Sequence, residues 1–137
     1  MYNFIFYFVY KFRERRTGDL SDAKFTAGLG VLFTLIFHLL FIGSCFRYFL
    51  NYEEKFFDFT SNKQLNNIIL VLIGISLIVF ITLFYNKART KRILAKYDER
   101  IYNIFSIKNV ILFFAITFLP LIIGMYLVNH SSMILEN

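Results

Sequence analysis

The sequence predicts an all-α polytopic membrane protein. It has three transmembrane helices, an N-terminal interfacial amphipathic helix and a cytoplasmic helical extension of the second span. Three observations carry that reading. First, 58% of the 137 residues are hydrophobic and 20% aromatic, more apolar surface than a soluble core of this length can hide from water. Second, three apolar runs each reach or exceed the ~20 residues that a helix needs to cross a bilayer. Third, the net charge of +6 is gathered into two of the polar segments, as expected where basic loops stay on the cytoplasmic side. The length accommodates one membrane domain, 1–137.

Residues 1–16 form the expected interfacial helix. MYNFIFYFVYKF carries seven aromatics, and Arg13-Glu14-Arg15-Arg16 follows at once. A secretory signal would put its charge before the apolar stretch and a small-residue cleavage site after it, and neither pattern is present. The apolar part is about half a span, so the expectation is a helix in the cytoplasmic interface, rings at headgroup level and basic residues towards phosphate. Gly18 and Asp19 break it, and Ser21 or Asp22 is expected to cap the next helix.

Span 1 is predicted over 27–50, with Arg47 near its outer end and Tyr48 and Tyr52 as an interfacial belt. The acid-rich 51–65 follows as a short outer loop. Span 2, 66–85, is the most uniformly apolar segment. No Pro or Gly occurs from 86 to 105, so span 2 is expected to continue as a basic cytoplasmic helix through 86–105. Ile93, Tyr97, Ile101 and Ile104 recur at helical spacing as one apolar stripe, to be packed on the membrane surface, the N-terminal helix or another subunit. Span 3 is predicted over 109–128. Its Pro120 removes a backbone hydrogen bond and crowds the carbonyl of Ile116, which predicts a kink. Thr117 is placed to support it by hydrogen bonding, and Gly124 by admitting a close neighbour.

Twelve of the fifteen Lys and Arg residues lie in the N-terminal segment (Lys11, Arg13, Arg15, Arg16, Lys24) and in 86–108 (Lys87, Arg89, Lys91, Arg92, Lys96, Arg100, Lys108). Arg47, Lys55 and Lys63 make up the other side. This asymmetry predicts a plasma (inner) membrane protein with its N-terminus cytoplasmic and its C-terminus outside.

Within the spans, Gly30, Thr34 and His38 share one helical face that continues near Cys45. This is a small, polar stripe suited to helix contact or to lining a pore. Arg13, Arg15, Arg16, Arg89, Lys91, Arg92, Lys96 and Arg100 form a basic surface for lipid phosphate, a nucleotide or nucleic acid. Catalysis finds no nucleophile–base pair, no paired carboxylates and no metal-ligand spacing, so no enzyme activity, cofactor or metal is expected. Cys45 is the only cysteine, which excludes an internal disulfide.

In layout the chain resembles the small multi-span bacterial membrane proteins that include anti-phage defence effectors. The resemblance rests on an aromatic N-terminus, three spans and a basic cytoplasmic helix. It implies an antiviral effector whose membrane permeabilisation is triggered by a nucleotide or partner protein. Three helices cannot enclose a conducting path, so the expected function is a homo-oligomeric gated pore (an ion channel) or permeabilising assembly, controlled from the basic face. The alternative is a non-conducting anchor or accessory subunit that recruits a cytosolic partner protein through Ile93, Tyr97 and Ile101.

Overall fold

The computed structural model describes residues 1–50, 62–100 and 103–135. They form five helices: α1 (Tyr2–Thr17), α2 (Leu20–Leu50), α3 (Lys63–Phe84), α4 (Lys87–Arg100) and α5 (Ile107–Leu135). Three segments are long and apolar enough to cross a membrane: Leu20–Phe49, Lys63–Phe84 and Ile107–His130. Only 17%, 6% and 11% of their most apolar windows are buried by protein, as suits helices whose outer faces lipid can solvate. The described residues are therefore those of a helical membrane protein. Of the expected outer loop 51–65, residues 51–61 lie outside the described residues, as does Ile101, while residues 63–65 belong to α3, which starts three residues before the expected span 2.

The N-terminal helix departs from the expected arrangement. Gly18, at φ 69° and ψ −5°, closes α1 in a left-handed C-cap and donates its N–H to the Glu14 carbonyl. Glycine takes that conformation without a Cβ clash. The helix cap that follows is Asp19, whose Oδ1 accepts from the N–H groups of Ser21 and Asp22 at 2.8 and 3.2 Å. It replaces the expected cap at Ser21 or Asp22 because the Gly18 reversal starts α2 at Leu20. The resulting hairpin runs α1 back along α2. Arg13 pairs with Asp22, Val9 sits against Gly30 and Tyr2 meets His38.

Consequently five of the seven rings expected at headgroup level are buried in the protein, while Tyr2 is partly buried and Phe12 is 50% exposed. α1 supplies more of the buried hydrophobic residues than any other helix, and Ile5 and Phe6 are fully enclosed. Phe6 stacks on Tyr85 at the end of α3, with centroids 4.2 Å apart and planes 4° from parallel. Tyr7 stacks on Tyr97 of α4 at 5.2 Å, and Phe8 on Phe113 of α5 at 4.4 Å. Each such pair contributes about 0.5–1.5 kcal/mol beyond its area. The helix expected to lie in the cytoplasmic interface packs instead against α2, α4, α5 and the end of α3.

The second departure is at the end of span 2, where a continuous helix through residue 105 is expected. α3 instead stops at Phe84, and Tyr85 adopts φ −89°, ψ 53°. Asn86 then caps a new helix, its Oδ1 accepting the Arg89 N–H at 2.9 Å. Asparagine offers its own side chain to free N–H groups and so favours a helix start over a helix interior. The burial of Tyr85 against Phe6 holds the break open.

α5 begins at Ile107, two residues before the expected start of span 3, and carries Pro120 in its interior. α2 and α5 run in the same direction, since His38 meets Ile116 and Phe41 and Ser44 meet Gly124. A Cβ at Gly124 would stand 3.3 Å from the Phe41 Cα and 3.1 Å from the Ser44 Oγ, so glycine is what permits this approach. Thr117 does not do what was expected of it: it is buried, and its Oγ1 has no hydrogen-bond partner among the described residues.

Candidate functional site: a polar relay at the middle of the bundle

The site begins with a deficit in the backbone. Pro120 has no N–H, so the carbonyl of Ile116, four residues earlier, loses its intrahelical donor. His38 Nε2 supplies one at 2.9 Å across the α2–α5 contact. A carbonyl can only accept, so Nε2 carries the proton, and in the neutral ring Nδ1 is left with a lone pair. The Tyr2 hydroxyl lies 2.9 Å from Nδ1 and donates to it. One imidazole thus links α1, α2 and α5 and satisfies a carbonyl that Pro120 leaves free.

The face of α2 that leads to His38 is taken up by α1. At Gly30 a Cβ would come within 3.0 Å of the Val9 Cγ2. Thr34 is fully buried, its Oγ1 donating to the Gly30 carbonyl at 2.9 Å. Cys45 stands apart from this contact. It is a half-buried free thiol in a shallow apolar depression with Ile42, Phe46 and Phe49. The stripe expected from spacing therefore divides: Gly30, Thr34 and His38 act together, and Cys45 does not join them.

Because α1 lies antiparallel along α2, its first turn is level with His38, the midpoint of the expected span 27–50. The N-cap residue Met1 makes no side-chain cap hydrogen bond. The Phe4 and Ile5 N–H groups donate to the Met1 carbonyl at 2.9 and 3.3 Å, which leaves those of Tyr2 and Asn3 to their surroundings, beside the half-buried amide of Asn3. Sequence reasoning reached His38 but not Tyr2, because a tyrosine among six other aromatics carries no signal of its own. Only its register opposite His38, fixed by the turn at Gly18, sets it apart.

At the other end of α1 a charged cluster ties it to α4. The Tyr7 hydroxyl donates to Asp98 Oδ1 at 2.6 Å, and Lys11 bridges Asp98 at 3.3 Å and Glu14 at 3.2 Å. Burial raises the Tyr7 phenol far above its ordinary range, and the hydrogen bond and charge of Asp98 and the charge of Glu14 add to it. Tyr97 of α4 is half-buried against Phe4 and Tyr7, and Ile93 is buried at 4% exposure. Ile104 is also buried, at 8%, but lies past the end of α4 at Arg100, so the expected stripe does not run along one helix to residue 104.

The basic residues are dispersed. Arg13 is engaged by Asp22, Arg15 lies over Phe105 at 4.8 Å and Arg16 over Phe12 at 5.9 Å. Arg89 lies over Phe84 at 3.7 Å. Lys91, Arg92 and Lys96 are exposed on α4, and the Arg100 side chain lies outside the described residues. Among the described residues no three His, Cys, Asp or Glu side chains gather as metal ligands would. No protein-family model, curated protein or solved structure matches this chain.

Proposed function

We propose that this chain is the subunit of a homo-oligomeric membrane pore in which α1 is the plug. The observation that carries the reading is the polar first turn of α1, with Tyr2, Asn3 and uncapped N–H groups level with His38 at mid-span. Backbone donors left bare to hydrocarbon cost several kcal/mol each, so such an end belongs beside water or other protein. A water-accessible path formed between copies would supply that environment, and three spans per chain require several copies. Withdrawal of α1 would bare Gly30, Thr34 and His38 to the path.

In this reading the chain resides in a bacterial inner membrane, N-terminal side inside, and α4 takes the signal. Lys91, Arg92 and Lys96 face outward, while the same helix grips α1 through Tyr97 and through Asp98, which shares a side with Lys91. An anion on the basic face, a nucleotide or nucleic acid, is thereby one helix away from the plug. This is the logic of the defence effectors that the layout resembles. The second reading, a non-conducting anchor that recruits a cytosolic protein, draws on the same exposed lysines and arginine. Its docking surface would be that basic face, since Ile93 is enclosed within the chain.

Ion flux from liposomes and the mass of the detergent-solubilised particle test the proposal together. An oligomer is expected, silent or slow as isolated, with flux raised by His38→Leu and altered by joint reversal of Lys91, Arg92 and Lys96 to Glu. A monomeric particle, or flux unchanged by both variants, sinks it. A foreign protein crosslinked in stoichiometric amount to α4 would favour the anchor.

A further inference from the structure

The charged cluster between α1 and α4 borders a space that the grip does not fill. Tyr7, Lys11, Glu14 and Arg15 fall at helical spacing on one face of α1, and that face is one wall. Asp98, in the last turn of α4, and the turn from Asn103 to Phe105 before α5 supply the others. The space is about 400 Å³, within the ~300–1,000 Å³ of small-molecule sites. Its far wall is tied down. Asn103 accepts the Phe105 N–H on its Oδ1 at 3.1 Å and the Asn109 side-chain amide on its carbonyl at 3.0 Å, and the Phe105 ring stands edge-on to Phe8 at 5.6 Å.

The charges around this space are not matched one to one. Lys11 is shared by two carboxylates, Asp98 at 3.3 Å and Glu14 at 3.2 Å. Asp98 uses a single oxygen, Oδ1, for both Lys11 and the Tyr7 hydroxyl, and Glu14 uses only Oε2. Among the described residues Asp98 Oδ2 and Glu14 Oε1 accept nothing, although a carboxylate has about four acceptor positions. Arg15 is the converse. Its guanidinium lies over Phe105 at 4.8 Å and forms an ion pair with no carboxylate among the described residues, so its N–H edge is left for an anion. One pocket thus carries an under-neutralised acidic side and an unpaired guanidinium. A pure anion held there would be repelled by the two carboxylates, whereas a molecule with both charges meets a complement at each end.

We infer that this pocket binds a small zwitterion, a primary ammonium joined to a phosphate by a short linker, with the ammonium on the open oxygens of Asp98 and Glu14 and the phosphate on Arg15. The pocket lies beside the start of α5, where the third apolar span begins at Ile107. That is the depth of lipid phosphate, which favours phosphate over carboxylate as the anionic half. The same ethanolamine phosphate group is offered by an aminophospholipid headgroup and by free phosphoethanolamine. Since Arg15 belongs to α1 and Asp98 to α4, an occupied pocket ties the two helices together where they already meet. The site is independent of whether the protein conducts, and the exposed Lys91, Arg92 and Lys96 do not line it.

Native mass spectrometry of the full chain tests this in two arms. The first uses micelles containing phosphatidylethanolamine, phosphatidylcholine and phosphatidylglycerol of equal chain length. The second uses detergent alone with phosphoethanolamine and phosphocholine at equal concentration. Choline keeps the positive charge but has no N–H to donate, and glycerol lacks the charge. One ethanolamine species is expected to be retained in about tenfold excess over its choline counterpart, the effect of one charge-assisted hydrogen bond. An excess in the first arm assigns the site to a membrane lipid, and an excess in the second arm alone assigns it to a soluble zwitterion. Glu14→Gln should bring the ratio towards parity. Arg15→Gln should lower retention of both species, and Arg92→Gln, exposed on α4, should change neither quantity. Parity of ethanolamine and choline in both arms overturns the inference. So does retention of phosphatidylglycerol above phosphatidylethanolamine, which would make the pocket an anion site. A ratio untouched by Glu14→Gln, or a retention untouched by Arg15→Gln, overturns it as well.

Discussion

Replacing His38 by Leu removes two hydrogen bonds at once, and their costs differ in kind. Tyr2 loses the acceptor of its hydroxyl, and interhelical bonds of this type in membranes average ~0.6 kcal/mol. The Ile116 carbonyl loses its only external donor in the α2–α5 contact, and a polar group orphaned in a buried place costs about 1–3 kcal/mol. His38→Leu should therefore destabilise the bundle by about 2–4 kcal/mol. The larger part is conditional on Pro120. In Pro120→Ala the residue at 120 regains its N–H and restores the intrahelical bond to Ile116. The double variant should then recover about 1–2 kcal/mol relative to the sum of the single changes, a coupling measurable by a double-mutant cycle. Tyr2→Phe supplies the control: its bond is on the opposite ring nitrogen, so Pro120→Ala should not rescue it. Reversible unfolding in mixed detergent micelles gives the free energies. Strict additivity of His38→Leu and Pro120→Ala would refute the argument that the histidine serves a carbonyl left free by proline.

Two further expectations concern packing and the charged end of α1. Gly124→Ala should cost about 1–3 kcal/mol, because the added Cβ meets the backbone of Phe41 at 3.3 Å, which cannot yield as a side chain does. Gly74→Ala, with nothing within 4 Å, should instead stabilise by up to ~1 kcal/mol through helix propensity, and the contrast can be read from the same unfolding curves. The raised phenol of Tyr7 implies stability that is complete below its ordinary value of 10.0 and declines as pH climbs above it, because the unfolded chain ionises more readily than the folded one. Tyr7→Phe should flatten that alkaline decline without abolishing it, since other tyrosines titrate there, and melts recorded from pH 8 to about 11 measure the slope.

The three spans were legible because lipid imposes a length and a composition that any window of sequence displays. His38 and Pro120 were legible singly, each being costly in an apolar helix. Their connection was not, since it depends on α2 and α5 running side by side in one register, and that register is set by the Gly124 approach to Phe41 and Ser44. The break at Tyr85–Asn86 was missed for a physical reason. Helix propensity counts Asn as a mild penalty within a run of good formers, whereas a buried ring stacked at 4.2 Å on Phe6 makes the kinked path the lower one. Tertiary contact overrode a local preference that was weak to begin with.

The fate of α1 follows from the same comparison of local pattern with packing. Seven aromatics in the first twelve residues suit an interface helix, yet an interface helix should keep one polar face along its whole length. The sequence Phe4-Ile5-Phe6-Tyr7-Phe8 has no such face, and the structure encloses all five. A helix apolar all round is one that other helices surround. Here they do so on every side: Gly30 of α2, Tyr85 after α3, Tyr97 of α4 and Phe113 of α5. Polarity returns at the two ends, as Tyr2 and Asn3 at one and Lys11 to Arg16 at the other, with the Tyr7 hydroxyl between them reaching Asp98. The helix cannot leave α2 without breaking both the His38 relay and the Asp98 grip. Variants that weaken one end alone should therefore loosen α1 only partly. Tyr2→Phe together with Asp98→Asn should expose it to added protease far more than the two effects combined, and simple additivity would argue that the ends act apart.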